Sequence, residues 1–401
     1  MTSHQPAKVL GTLWANLTSA EASGDVEAAY IRNNLRILVA GGDGTVTWVL
    51  GAIMELGLEP RPAVAVMPLG TGNDFSVNFG WGTKFEASWV KPAQLYRTLA
   101  RYKTAEVRQV DVWGATITAP ATDYFVEMPH SVRQDKQNPR QANAKFWNYF
   151  SVGLDAQAAY GFHHLRENHP RLAAGRVSNQ MWYGIFSCST GWFCGARPIA
   201  KSLKLRVKDT PNGPWKDIIV PPAVRAVVLL NLQSYGGGRD IWGLTDNTSL
   251  AEKGMQEPIY DDGLIEVLGF QSGWHTAVVM GQVSSKVHAQ RLAQCCAVDL
   301  ELVATGGRVK DDRGTVFMQL DGEPWPQQIP ASFGNGKVGN EHVVEPLRVQ
   351  VGNVGQSQVL VNGAETLGSK FSQKLTHRGL NLAPEPENGE MVTGAGAAMG
   401  N

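Results

Sequence analysis

Apolar positions in the first third of the chain follow two rhythms. Residues 36–40 (RILVA) and 63–70 (AVAVMPLG) are short, unbroken apolar runs with glycine following, which predicts buried strands of a parallel sheet. Between them, TVTWVLGAIMELG spaces Val46, Val49, Leu50, Ile53 and Met54 along one helical face, with Thr45 near its start and Gly57 past its end. VLGTLWANL and DVEAAYIRNNL read as further helical stretches. Strands alternating with helices predict an α/β domain with a mostly parallel sheet.

Beyond a polar, turn-rich segment at 129–145 (PHSVRQDKQNPRQANAK) the rhythm changes. KSLKLRVKD, AVRAVVLLNL, GLIEVLGF, VDLELVA, TVFMQLDG and LRVQVGNV are short runs of alternating or apolar character between glycine and proline turns. They predict a second domain of antiparallel β structure. Its clearest helix is DAQAAYGFHHLRENHP, with Asp155 as the expected N-cap and an end before Pro170. Residues 362–401 hold few large apolar side chains and read as a disordered tail.

Composition narrows the picture. Of 401 residues, 43% are hydrophobic, and Lys+Arg and Asp+Glu each count 36. A zero formal charge argues against bulk capture of nucleic acid. The first residues lack a signal-peptide pattern, and no run of apolar residues is long enough for a transmembrane span. Four cysteines without a CxxC pair favour a reducing compartment. The expectation is a cytoplasmic protein, soluble or peripheral to a membrane.

Two glycine turns carry the candidate chemistry: Gly41, Gly42, Asp43, Gly44 and Thr45, and then Gly70, Thr71, Gly72, Asn73 and Asp74. Both follow predicted strands at their carboxyl ends, where open parallel sheets bind ligands. Glycine lets backbone N–H groups approach a phosphate, and the helix opening near Thr45 adds partial positive charge. The spacing is neither G-x-G-x-x-G nor a Walker A loop. A carboxylate beside a polyphosphate is repulsive unless a cation or a proton intervenes. Asp43 is therefore either near a magnesium ion travelling with ATP or a base that removes a hydroxyl proton. Its plain structural alternative is an Asx-type turn. Further on, LDGEPW runs a strand, Thr315–Leu320, into an acidic turn that is also a hairpin signal.

His163, His164 and His169 lack acidic or cysteine partners at ligand spacing, and Cys295 and Cys296 read as small buried hydrophobes. Trp182, Trp192, Trp242 and Trp274 suit a core, though an exposed subset would suit a bilayer interface.

Taken together, VAGGDGT, VMPLGTGND, FWNYFSVGLDAQAAYGFHHLRENHP, GWFC, LNLQSYGGGRDIWG, YDDGLIEVLGF and MQLDGEPW closely resemble a diacylglycerol kinase of the short plant type, over roughly residues 8–352. The resemblance implies transfer of phosphate from ATP to diacylglycerol, giving phosphatidic acid at a membrane surface, with ATP and Mg²⁺ required. It implies a Rossmann-like nucleotide-binding domain (1–128), the polar loop (129–145) and a β-sandwich accessory domain (146–352), with a cleft between the two domains. It carries the nucleotide loops onto the two glycine turns. It makes Asp321 the favoured base with Glu323 beside it, leans Asp43 toward metal or phosphate, and marks Asp262 as a magnesium-associated position near Leu264. The family ordinarily opens with a strand and an Asn-Pro-x-Ser-Gly-Gly stretch. This chain starts at helix-like residues, which implies an amino-terminally shortened catalytic domain without a C1 module. Rival readings are a related kinase acting on sphingoid bases, ceramide or a nicotinamide dinucleotide, a catalytically impaired nucleotide- or lipid-binding homologue, and a membrane-binding scaffold using the β domain.

Overall fold

The computed structural model describes residues 6–70, 72–168, 198–243, 247–271, 273–281, 287–305, 313–332 and 344–363. The expected tail from 364 on, Thr71, His169, Trp182 and Trp192 lie outside the described residues.

The chain opens with helices α1 (Pro6–Ala22) and α2 (Val26–Asn34), then strand β1 (Arg36–Gly41), helix α3 (Asp43–Glu55) and strand β2 (Ala63–Pro68). β1 and β2 pair in parallel from Arg36–Ala63 to Gly41–Pro68, so both strands end at the same edge. The short helix α4 (Asp74–Asn78) follows the second glycine turn, and α5 (Pro92–Thr104) precedes β3 (Glu106–Thr118). Val46, Leu50 and Ile53 are buried against β1 and β2, with Phe75 and Phe79 of the α4 region completing this core. The helical spacing of α3 thus marks the side that packs.

The second half is built from strands. They are β4 (Arg133–Gln134), β5 (Gln141–Phe146), β6 (Tyr149–Gly153), β7 (Leu203–Lys208), β8 (Lys216–Ile218), β9 (Ala226–Leu230), β10 (Ile265–Phe270), β11 (Gln290–Cys295), β12 (Ala297–Leu302), β13 (Ala304–Thr305), β14 (Arg313–Leu320), β15 (Glu323–Ser332) and β16 (Leu347–Val361). One sheet runs β4-β5-β3-β16-β12-β7-β8, and the other β11-β10-β9-β6-β14-β15-β13. The inner faces meet in a core that includes Trp113, Phe146, Phe150, Leu205, Leu229, Leu300, Met318 and Trp325. Burying one side chain of Phe size contributes about 1.5–3 kcal/mol. β9 is buried at all five positions because a third cluster, with Tyr235, Ile241 and Trp242, covers its other face. As expected, an α/β unit is followed by an antiparallel β-sandwich.

Three details differ from the sequence expectation. The packing has no break at 128 or 352: β3 pairs with β5 and β16, and β16 runs on to Val361, meeting β2 at a parallel bridge between Val64 and Val359. Long antiparallel pairing along β3 and β16 outweighs the composition shift that suggested a boundary. The polar segment 129–145 is partly a hairpin, with Arg133 opposite Asn143 and Gln134 opposite Ala142. Its alternation of exposed Asn143 and Lys145 with buried Ala142 and Ala144 is strand-like, which its high polarity masked. The helix α6 (Leu154–Asn168) begins two residues earlier than an N-cap at Asp155 implies, so Asp155 sits in its first turn, buried, and accepts from Tyr235 Oη at 2.7 Å.

Candidate active site

The two glycine turns touch. A β carbon on Gly70 would lie 2.5 Å from Gly42 Cα, and one on Gly42 would lie 2.9 Å from Gly70 Cα. Gly41 is equally crowded, by the Thr45 side chain at 2.7 Å. Glycine at 42 and 70 is therefore required first by the approach of one turn to the other, and at 41 by the Thr45 side chain of its own turn. Asn73, left-handed at φ 56, locks the second turn by donating from Nδ2 to Gly70 O at 2.7 Å and Thr83 O at 2.9 Å. Gly44 is different: nothing lies within 4 Å of the place a β carbon would take, and it lines the large cleft. Gly42 caps α3 without a side-chain hydrogen bond, so the first-turn amides of this helix have no side-chain cap.

Asp43 clips the two turns together. Its Oδ2 accepts from Asp74 N and its Oδ1 from Phe75 N, both at 3.0 Å, so it caps α4 from the first turn of α3. Burial and the neighbouring Asp74 carboxylate raise its pKa to about 7 against the pull of these two amides, and the charge of Asp321 adds to the rise. Asp74 is buried. Its Oδ1 accepts from Gly237 N and Gly238 N at 2.8 Å and from Ser234 Oγ at 3.0 Å. Burial raises its pKa too, against those hydrogen bonds.

Asp321 sits on the tip of the β14–β15 hairpin. Leu320 and Glu323 are the last paired residues, and the two between them have φ of 47° and 89°, both left-handed. That is the two-residue turn an Asp-Gly pair favours, so the hairpin signal and the candidate base are one feature. The Asp321 carboxylate, 5% exposed, is cradled by three successive amides: Trp147 N at 2.9 Å, Asn148 N at 2.8 Å and Tyr149 N at 3.0 Å. Desolvation outweighs these bonds and, with Glu323 adding, lifts its pKa to about 7. Glu323 accepts from Ser131 Oγ at 2.6 Å.

Asp321 and Glu323 open into a cleft of about 980 Å³. One wall is α3, with Gly44, Thr47, Trp48, Gly51 and Glu55; the other is the face of the first sheet, with Thr116, Asn143 and Lys145. Arg133 reaches Glu55 at 2.9 Å from one wall to the other. The cleft thus brings together the amino-terminal turn of α3 and the buried carboxylate of the hairpin. Neither Ser131, Lys145 nor Trp48 was singled out by sequence; they line one cleft only after β3, β5 and α3 are assembled.

Other expected positions fall elsewhere. Asp262 lies away from the cleft lining, accepting from Leu264 N at 2.9 Å and Gln256 Nε2 at 2.8 Å. Among the described residues no group of three or more His, Cys, Asp or Glu side chains is arranged to hold an ion. Each oxygen of Asp262 accepts one hydrogen bond, from Leu264 N and from Gln256 Nε2, which ties down the turn before β10. Cys295 is buried, and burial pushes its thiol far up. Trp242 is core.

A model of the diacylglycerol kinase catalytic domain matches residues 11–112, and one of the diacylglycerol kinase accessory domain matches 145–324. Diacylglycerol kinase 4 of Arabidopsis thaliana is 42% identical over 342 residues, covering 79% of this chain and 68% of that one. Diacylglycerol kinase 1 of Oryza sativa subsp. japonica is 33% identical over 353 residues, covering 82% and 68%. A solved diacylglycerol kinase from Bacillus anthracis str. Sterne aligns with 84% of the chain and 82% of its own at 16% identity and a TM-score of 0.41. The chain belongs to the diacylglycerol kinase family. No helix among the described residues is long and apolar enough to cross a membrane.

Proposed function

We propose that this chain transfers the γ-phosphoryl group of ATP to the free hydroxyl of diacylglycerol, forming phosphatidic acid and ADP. The observation that carries the reading is Asp321: a buried carboxylate near neutrality, held by three amides and opening into the same cleft as the amino terminus of α3.

Each residue has a task. The first turn of α3, reached past Gly44, offers backbone N–H groups to the phosphates. Asp321 takes the hydroxyl proton as the acceptor oxygen bonds to the γ-phosphorus and the bond to the ADP oxygen breaks. A base with pKa near the working pH is suited to that step. The three amides fix its oxygens, and Ser131 orients Glu323 beside it. Lys145, on the wall opposite α3, supplies positive charge to a cleft otherwise rich in carboxylates.

The carboxylates at the glycine turns fit a divalent cation: Asp43, its pKa raised by burial, by Asp74 and by Asp321, keeps a lone pair on each oxygen beyond those that accept from Asp74 N and Phe75 N, and these are the hard donors that Mg²⁺ prefers. When bound, such an ion would neutralise charge on the phosphates, with Asp43 its protein ligand. The acceptor has two acyl chains and stays in its bilayer, so the enzyme works peripherally, on the cytoplasmic surface where ATP is supplied.

The test is an acceptor panel. Purified protein is given labelled ATP, Mg²⁺ and mixed micelles of diacylglycerol, ceramide or a sphingoid base. Label in phosphatidic acid at rates well above the other lipids is expected. Preferential labelling of another lipid, or none, would overturn the assignment.

A further inference from the structure

The run Ser234–Arg239 follows β9 and carries three consecutive left-handed glycines, Gly236, Gly237 and Gly238, with φ of 59°, 99° and 89°. Successive left-handed residues aim neighbouring amides at one point, forming a concavity that holds an anion. Here the anion is a side chain of the other domain. Asp74 Oδ1 sits in the concavity on Gly237 N and Gly238 N, and Ser234 Oγ closes over it while also lying 2.9 Å from Asp74 O. The fit is close: a β carbon on Gly238 would lie 3.0 Å from Val77 Cγ1 of α4, and one on Gly237 3.7 Å from Gly72 O. Arg239 stands beside the pair and its charge favours the ionised carboxylate.

The same strand pair holds the other half of the site. β9 and β6 run side by side from Tyr149–Leu230 to Gly153–Ala226. At their shared end Asn231 N donates to Asn148 O at 2.9 Å, and Asn231 Nδ2 donates to Trp147 O at 2.6 Å. Residues 147–149 are the amides that cradle Asp321, and Ser234 comes three residues after Asn231. Hydrogen bonds therefore join Asp321 to the β6–β9 end, three residues of chain lead from Asn231 to Ser234 and the glycine concavity, and hydrogen bonds continue to Asp74 and through Asp74 N to Asp43.

We infer that the Ser234–Gly238 loop is a latch that sets the position of the second glycine turn relative to Asp321, with Asp74 as its positioning residue. Asp74 does not touch the substrates in this arrangement. It fixes the nucleotide turn to the strand pair that carries the base, so donor phosphate and acceptor hydroxyl are held in line. The inference rests on the kinase reading of the cleft, and it gives the accessory domain a part in nucleotide placement as well as in acceptor binding. A misplacement of about 1 Å can cost up to ~10²-fold in rate, which is the scale available to such a device.

The test uses the full chain with Ser234→Ala, and Gly237→Ala as a second variant in case one fails to fold. Two readouts are taken below the thermal midpoint of each variant. The first is amide hydrogen exchange at Asp74 and Phe75, which needs no activity. The second is steady-state kinetics with ATP and diacylglycerol. The latch predicts exchange at least ~10-fold faster at these amides and kcat lowered about 10-fold, with KM for ATP within twofold, because ground-state binding at the turns persists while alignment is lost. A lowered midpoint with unchanged kcat would reduce the loop to ordinary stabilisation and overturn the inference. Unchanged exchange would overturn it as well. If wild type forms no phosphatidic acid, the functional reading fails on its own account and the exchange measurement alone decides the latch.

Discussion

Trp147 N–H donates to Asp321 Oδ2 at 2.9 Å, and the same tryptophan faces α3, where a β carbon on Gly51 would lie 3.8 Å from its Cη2. Its indole N–H donates to Ser357 Oγ of β16 at 3.0 Å. One residue thus registers the buried carboxylate against both the nucleotide-side helix and the long strand that joins the two domains. The chemistry is positioned by backbone amides and a packed ring, both of which form only when the two domains are assembled.

The first prediction concerns pH. Asp321 and Asp43 both stand near 7 in the folded chain, against about 3.9 for an unperturbed aspartate. A base must be deprotonated to act, so kcat should rise with pH through about 7 and level off above it. Stability runs the other way. Between about pH 4 and 7 the folded chain holds more protons than the unfolded one, so the contribution of these groups is present below 4 and lost as pH rises through 7. Thermal unfolding from pH 5 to 8 should show that decline, and Asp321→Asn, with one such group fewer, should show a shallower one. Parallel curves for the two proteins would place the neutral titration elsewhere.

Asp43→Ala leaves Asp74 N and Phe75 N without their acceptor. Losing a partner of a buried donor costs about 1–3 kcal/mol, so denaturant unfolding should register that loss. The freed second turn should also raise KM for ATP. A variant with wild-type stability and wild-type KM would show that the clip between the turns carries no weight.

The glycines of the first two turns should separate cleanly on substitution. Gly70→Ala forces a β carbon to within 2.5 Å of backbone at Gly42, which cannot yield, and should cost more than about 3 kcal/mol or abolish folding. Gly44→Ala meets open space at the start of α3 and should leave stability within about 1 kcal/mol of wild type. Its methyl group projects where the cleft begins, so the expected defect is in nucleotide affinity. Calorimetric unfolding and nucleotide titration of the two variants check both halves.

Much of this was legible in the sequence. The apolar runs of β1 and β2, the spacing of Val46, Leu50 and Ile53, and the Asp-Gly of the β14–β15 turn are local signals, and each corresponds to the element it predicted. Asp43 was readable as a carboxylate needing a partner, but not which partner: its two amides belong to residues 31 and 32 positions away. The long pairing of β3 with β16 crosses more than 200 residues, so no window of sequence reveals that the domains share a sheet. The glycine run at 236–238 could be seen as a run of turn formers, while its occupant, Asp74, lies more than 160 residues earlier. Lys145 and Trp48 become cleft residues only through the approach of β5 and α3.

Asp321→Asn is the most direct measurement, made on the folded variant in mixed micelles with labelled ATP and diacylglycerol. The side chain keeps its size and one oxygen for the amides at 147–149 while the other position becomes an NH2 that cannot accept, so the fold is checked alongside; the proton acceptor is gone, and phosphatidic acid formation should fall by about 10²–10⁴-fold with KM for ATP little changed. A variant that keeps its fold and forms phosphatidic acid at the wild-type rate, with the same rise through neutral pH, would contradict the role given to this carboxylate.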